Sequence, residues 1–302
     1  DQTLNMSGVI EANSVENRNG KIVLFNKNSK VVVDGDLKAN SCSIGGEVQI
    51  LGADLKLNAN TNIEAVGVNG GGKVLIGGDY KGQNPDVHNA SKVIVNKDAT
   101  INADAFENGN GGTVIVWSED FTQFNGGITA RGGTRGGDGG FVEVSSKNNL
   151  IYDPFTITDT IAPAGNTGTL LLDPAFLVVA TAGGVSYSDG INNLFNNNVS
   201  GTNTLTPASI VTAAAGANIT LQANTDVTFT NALAITTAAR TLTVRAGRSI
   251  LQNANVSTTN GAILFSANDT AATSADRQAG NGAITMTAAS TLSSGTAALT
   301  LL

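Results

Sequence analysis

Apolar and polar residues alternate in short runs along the first half of the chain, and five of these runs open on a glycine. They read Gly20-Lys-Ile-Val-Leu, Gly46-Glu-Val-Gln-Ile, Gly72-Lys-Val-Leu-Ile, Gly112-Thr-Val-Ile-Val and Gly140-Phe-Val-Glu-Val. Period-2 alternation of Val, Ile and Leu, bounded by Gly and Asn, makes strands rather than helices. The anchor glycines lie 26, 26, 40 and 28 residues apart. Recurrence in this range marks a repeat architecture, in which each unit buries its apolar face only against its neighbours. A unit of about 26 residues holding three short strands is one coil of a parallel β-helix. The predicted fold class is therefore all-β, a parallel β-helical solenoid.

The pattern also divides the chain. Residues 1–180 form a first β-helical segment, with strands in its second rung at 47–51, 54–58 and 62–66. The third rung is about fourteen residues too long, and the surplus is placed in an excursion at 77–91 (GGDYKGQNPDVHNAS). A second Gly-rich excursion is expected at 131–140 (RGGTRGGDGG), read as a long flexible turn. The Gly168-Thr-Leu-Leu-Leu-Asp strand stops at Pro174, because Pro cannot donate to a ladder. Residues 181–216 read as an irregular transition, with a helical turn conceivable at 191–195 and a short helix at 207–214. A second segment, 217–302, restarts with a smaller rung. Its phrases at Ile219, Leu242, Ile263 and Ile284 are spaced by 23, 21 and 21, giving rungs of about 21–23 residues. Both ends of the chain read as cut from something longer.

Composition narrows the function. The chain has 302 residues, of which 41% are apolar and only 5% aromatic, with 36 Gly and 5 Pro. That mix suits many tight turns between short strands. A net charge of −7 argues against nucleic acid and anionic membranes as partners, since both need a basic surface. No run of about 18 apolar residues exists to span a membrane as a helix. No lysine follows Lys147 and no glutamate follows Glu143, so charge is concentrated in the first half.

Candidate chemistry is scarce. His88 is the only histidine and Cys42 the only cysteine, so neither a nucleophile triad nor a zinc site can be assembled. No disulfide can form within the chain, and no cofactor is implied. Carboxylates receive more weight, because β-helical enzymes can cut polysaccharides with Asp clusters on a strand face. Asp34 and Asp36 are two apart and would share one face. Stacked with Asp54 or Asp98 they would line a groove, although Asp34-Gly-Asp is also an ordinary turn and Glu119-Asp120 follows a strand end. The 131–140 stretch lacks the Gly-Lys-Ser/Thr and the following helix of a phosphate loop. Gly136-Gly-Asp-Gly-Gly occurs once, whereas calcium-binding nonapeptides come in tandem. Six Asn-x-Ser/Thr sequons match chance in so Asn-rich a chain and carry no information.

Alternation sends Val114 and Val116 to one face and Ile115 and Trp117 to the other, and Gly112 fixes the valines as inward. Trp117 then either stacks with other aromatics within the rung or offers a sugar or protein contact. In a solenoid, specificity belongs to loops. The binding candidates are therefore Tyr80 and His88 in the first excursion, Trp117 beside it, and Arg131 and Arg135 in the second.

Two stretches carry a resemblance. One runs from Gly111-Gly-Thr-Val-Ile-Val-Trp-Ser-Glu-Asp through Phe124-Asn-Gly-Gly-Ile-Thr-Ala-Arg-Gly-Gly to Gly168-Thr-Leu-Leu-Leu-Asp-Pro. The other is Gly216-Ala-Asn-Ile-Thr-Leu-Gln-Ala-Asn-Thr-Asp-Val with Leu242-Thr-Val-Arg-Ala-Gly-Arg-Ser-Ile. With Gly72-Lys-Val-Leu-Ile-Gly-Gly-Asp-Tyr, they resemble the passenger of two-partner-secretion exoproteins of the filamentous haemagglutinin type. The resemblance implies a right-handed β-helix, export through an outer-membrane partner transporter, and a secreted or cell-surface adhesin that meets a host receptor or glycan. The family's secretion domain carries Asn-Pro-Asn motifs. This chain has only Asn84-Pro85-Asp86, so it is similar to an interior piece. No catalytic residue is implied. The other readings are a polysaccharide-active β-helix and a purely architectural spacer or filament subunit.

Overall fold

The computed structural model describes residues 3–11, 20–153, 156–181, 203–271 and 280–302. It is a parallel β-helix, with strand at 47% and helix at 5%. Ten strands of one sheet stack in parallel register, in the order Lys21–Lys38, Glu47–Leu57, Lys73–Ile76, Thr113–Val116, Phe141–Val144, Thr169–Leu172, Asn218–Ala223, Leu242–Ala246, Ile263–Ser266 and Leu299–Leu301. At about 4.8 Å per step the column rises roughly 40 Å.

Register explains why the glycine phrase recurs. Val48, Val74, Val114, Val142, Leu170, Ile219, Leu242 and Ile263 lie directly above one another. All are buried in one core that runs the length of the stack. Val114 and Val116 are both fully buried, so the inward face is the one the alternation predicts. Each anchor glycine passes the ladder on: Gly46 accepts from the Lys73 N–H at 2.9 Å, Gly72 from Thr113 at 2.9 Å and Gly112 from Phe141 at 3.0 Å. The same glycines donate back across the rung to Ala39, Ala65 and Ala103, each at 2.7 Å, and so close its corner. A Cβ at Gly112 would collide with the Gly72 carbonyl oxygen and with Ala103. Only glycine fits where consecutive rungs pack backbone on backbone.

The stack does not break at the predicted transition, since Thr169–Leu172 pairs directly with Asn218–Ala223. Of the residues between, 182–202, where the helical turn at 191–195 is expected, lie outside the described residues. The rest contains two paired strands, Leu177–Val179 and Asn203–Leu205, and a helix, Pro207–Gly216. Thr206 caps the helix by accepting from the Ser209 N–H at 3.1 Å, and Pro207 takes the first turn, where a missing N–H costs nothing. Ile210, Ala213 and Ala214 are buried, and the helix packs against the strands Ile157–Asp159 and Leu233–Ile235. It occupies the place of one strand in that column.

Two expectations are corrected. Ile284 does not continue the column of Ile263; it pairs with Ile250 in a separate sheet, and Leu299 follows Ile263. Alternation identifies a strand but not the column it joins, and the spacing of 21 was coincidental: that rung is 36 residues long. Residues 131–140 are not an excursion either. They stack on the turn below: Gly133 N–H donates to Gly109 O (3.0 Å), Arg135 N–H to Glu107 O (2.7 Å) and Asp138 N–H to Asn110 Oδ1 (2.8 Å). Asn166 N–H then donates to Asp138 Oδ1 at 2.7 Å, one rung on. The segment belongs to a regular 28-residue coil, so its glycines serve close stacking rather than flexibility.

These contacts separate two glycines a short distance apart in sequence. Gly112→Ala should destabilise the stack by about 2 kcal/mol, the range expected of forced overpacking. Gly127→Ala should be neutral or slightly stabilising, because nothing lies within 4 Å of its added Cβ. Thermal melts of the two variants check this, and equal melting temperatures would refute the stacking account.

Candidate functional site

The outward face of the same sheet carries a second set of rows. Leu75, Ile115, Glu143 and Leu171 lie in one. Outward apolar side chains need cover, and the 77–91 excursion supplies it. Its first turn is a short 3-10 helix, Tyr80–Gly82, capped by Asp79, which accepts from the Tyr80 N–H at 2.8 Å. Asp79 also receives Lys73 Nζ at 3.0 Å and Asn84 Nδ2 at 2.9 Å. Burial pushes the Asp79 carboxyl up, but these donors and the Lys73 charge together hold it below its usual range. Asn89 Nδ2 ties the far side of the loop to Gly82 O at 2.8 Å.

Trp117 lies beneath this loop. It is only 5% exposed and packs with Leu75, Ile115, Val87 and Phe141. Gly82, at φ +63°, sits flat on the indole, where any Cβ would strike the ring. Trp117 is therefore neither an aromatic inside the rung nor an exposed contact. It points outward, as the alternation requires, and is roofed by a segment that the spacing alone marks as dispensable surplus. Tyr80 meets the edge of Phe141 at 5.8 Å and remains 45% exposed at the rim of the roof.

The roof also closes over two carboxyls. Glu143 has no exposed surface, and both of its oxygens face the Lys81 N–H at 3.2 and 3.3 Å. Lys81 adopts a left-handed backbone (φ +53°) to make this contact, an uncommon conformation for a side chain with a Cβ. Asp173, at the end of the next strand, accepts from Gln222 Nε2 at 3.1 Å, and its own N–H donates to Ser145 Oγ at 3.2 Å. Its other oxygen, Oδ1, is buried with no hydrogen-bond partner. Burial, reinforced by the Asp173 charge, pushes Glu143 up to about 8 against the pull of Lys81. Burial likewise pushes Asp173 up to about 7, opposed by Lys81.

Lys81 reaches further. Its Nζ donates to Ala271 O at 3.0 Å, and Gln222 Nε2 contacts the same carbonyl at 3.3 Å. Ala271 belongs to the turn that opens the 36-residue rung, and that turn is closed by the Ala271 N–H on Asp269 Oδ1 at 2.7 Å. Surplus residues from two rungs far apart along the axis thus meet over one stretch of sheet.

The remaining candidates lie elsewhere. His88 stands edge-on to Phe25, with ring centres 5.7 Å apart. Arg131 is fixed on Asp104, through Nε at 3.0 Å and its N–H at 2.7 Å, and Arg135 pairs with Glu107 at 3.0 Å on the exposed turn. Asp34 accepts from Asn58 at 3.4 Å and Asp36 pairs with Lys38 at 3.2 Å, while Asp54 lies in register with Lys30 and Lys92. These carboxylates alternate with amides and lysines and form no acidic groove. Among the described residues no group of three His, Cys, Asp or Glu is placed to hold a metal. An open groove of about 450 Å³ follows the anchor glycines Gly46, Gly72 and Gly112 beside Lys21, Ile44 and Lys73. No helix among the described residues is long and apolar enough to cross a membrane. Compared with known proteins, the chain matches no protein-family model and no curated sequence.

Glu143 and Asp173 are not among the candidates that motif and spacing single out. The signal was present: Glu143 takes an outward strand position whose neighbours in the preceding rungs, Leu75 and Ile115, are apolar. An outward apolar row implies a cover, and a carboxyl within it implies a buried one.

Replacing residues 80–89 by a tight turn should therefore do more than shorten a loop. It would uncover Trp117 and Ile115 and strip Glu143 of its Lys81 donor, costing about 2–5 kcal/mol. A lowered melting temperature together with red-shifted tryptophan emission is the expected result. An unchanged spectrum would mean that the loop is not the cover described.

Proposed function

We propose that this chain is a non-enzymatic shaft segment of a secreted or surface-attached bacterial exoprotein of the adhesin type. It gives length to the parent and presents lateral loops to a host receptor or glycan. The observation that carries this reading is the uninterrupted core from Met6 to Phe265, on which every detour is hung without breaking the column. Such an object projects a surface, and its stability is a sum of neighbour contacts that tolerates lateral variation. The resemblance of the glycine phrases to exported haemagglutinin-type passengers supports passage of the parent through an outer-membrane partner transporter. Tyr80, Arg131 and Arg135 are the candidate contacts that remain exposed, and Tyr80 and Arg135 are the two we place against a partner. His88 is half-buried against Phe25, Trp117 is buried, and Arg131 is held on Asp104 with its side chain still exposed.

The competing reading is a polysaccharide-active β-helix. Against it stands the geometry of the acidic residues. The open ones alternate with amides and lysines, and the two with raised values are closed beneath a loop, away from any polymer.

Purified chain incubated with pectin, alginate or hyaluronan, with and without calcium, should release no reducing ends or unsaturated products. It should bind host cells or glycan surfaces, and Tyr80→Ala combined with Arg135→Ala should reduce that binding several-fold while the β circular dichroism spectrum is retained. Turnover that disappears in Glu143→Gln would replace this reading with the enzymatic one. Binding unaffected by the double change would move the contact away from these loops, and absence of binding to any surface would favour the spacer.

A further inference from the structure

Three features of the roofed face belong together. A carboxyl with no exposed surface, Glu143, is met by the Lys81 N–H and the Ser145 hydroxyl, and by no ion pair among the described residues. A second carboxyl, Asp173, lies close enough to raise it by charge repulsion and leaves its own Oδ1 without a partner. One cation, Lys81, serves both, and its Nζ donates to the Ala271 carbonyl rather than to either carboxylate. Burying two negative charges against a single cation held on a neutral acceptor is strongly unfavourable. The arrangement suits two carboxyls of which at least one is protonated.

We propose that the 77–91 excursion and the 267–271 turn form an acid-closed clasp over the first sheet: with Glu143 and Asp173 uncharged the roof is shut, and their ionisation lifts the excursion off Trp117.

The groups around the pair define the response. From the excursion, Lys81 faces both carboxyls. At its base, Lys73 and Asp79 are paired with each other at 3.0 Å. Beyond Gln222, Arg245 lies 3.9 Å from Asp269. On the sheet side, Ser145 and Gln222 are uncharged at every relevant pH. Lys81, whose Nζ is held by the Ala271 carbonyl and lies 5.2 Å from the centre of the Tyr80 ring, is therefore the only cation without an ion-pair partner among the described groups facing the two carboxyls, and it cannot compensate both.

The sign follows from linkage. Both carboxyls lie above their ordinary range in the closed state, so the closed state holds more protons than the open one between about pH 4 and 8. Closure is fully favoured below the ordinary carboxylate range. It weakens as pH rises through about 7 and then 8, and changes little beyond.

Trp117 is the only tryptophan in the chain and lies under the moving part, so it reports the clasp directly. Acrylamide quenching and emission maximum are followed from about pH 5 to 9 at fixed ionic strength, with far-UV circular dichroism recorded in parallel. The expected result is low quenching at acid pH, a several-fold rise with a red shift through about pH 7–8, and an unchanged β spectrum. Glu143→Gln keeps an acceptor for the Lys81 N–H and should hold Trp117 protected to pH 9; Asp173→Asn should flatten the rise in part. Lys81→Met keeps the backbone N–H but removes the contact with Ala271, and should raise quenching at every pH. Constant protection of Trp117 in the unaltered chain overturns the proposal. So does loss of the β spectrum at the same pH, which would signal unfolding of the stack, or an undiminished transition in a folded Glu143→Gln protein. Should that variant fail to fold, Asp173→Asn and the titration of the unaltered chain decide the matter.

Discussion

The backbone ladder along the axis is the interaction on which everything else depends. Gly46, Gly72, Gly112 and Gly140 each hand their carbonyl to the next rung and close their own rung with their N–H, and they do both in a space that excludes a Cβ. Once that contact is fixed, the phase of the following strand is fixed. Phase decides which side chains enter the core, and the register of Val48, Val74, Val114 and Val142 follows. Outward rows are then dictated as well, including those whose apolar members require a cover.

Much of the fold could be read from the residues because this constraint is local and repeats. The Gly-x-apolar-x-apolar phrase encodes both a strand and its stacking partner. The short helix after Thr206 was likewise legible through its cap and Pro207. What could not be read was anything linking positions of unrelated spacing. Ile284 is an alternating strand like Ile263, and only packing sends it to another column. Residues 131–140 contain the glycines of a flexible turn, yet hydrogen bonds to the turn below hold them in a regular coil. In both cases composition was informative about local conformation and silent about which neighbour each segment meets.

The candidate site was less legible for the same reason. Tyr80 and Trp117 were singled out singly, as an exposed loop residue and an aromatic of ambiguous face. Their shared environment around Phe141 depends on where the excursion lands. Glu143, Asp173 and Lys81 are scattered over three coils. The contact of Lys81 with Ala271 joins residues 190 apart, a separation no periodicity announces.

That long-range contact has a mechanical consequence. Pulled along its axis, a solenoid behaves as springs in series: each interface bears the full load, and the weakest yields first. The link from Lys81 to Ala271 bypasses six successive interfaces of the column and adds a parallel path across them. Within that stretch the load is shared between the ladder and a side tether. A shaft built in this way can be reinforced locally without a change in its core.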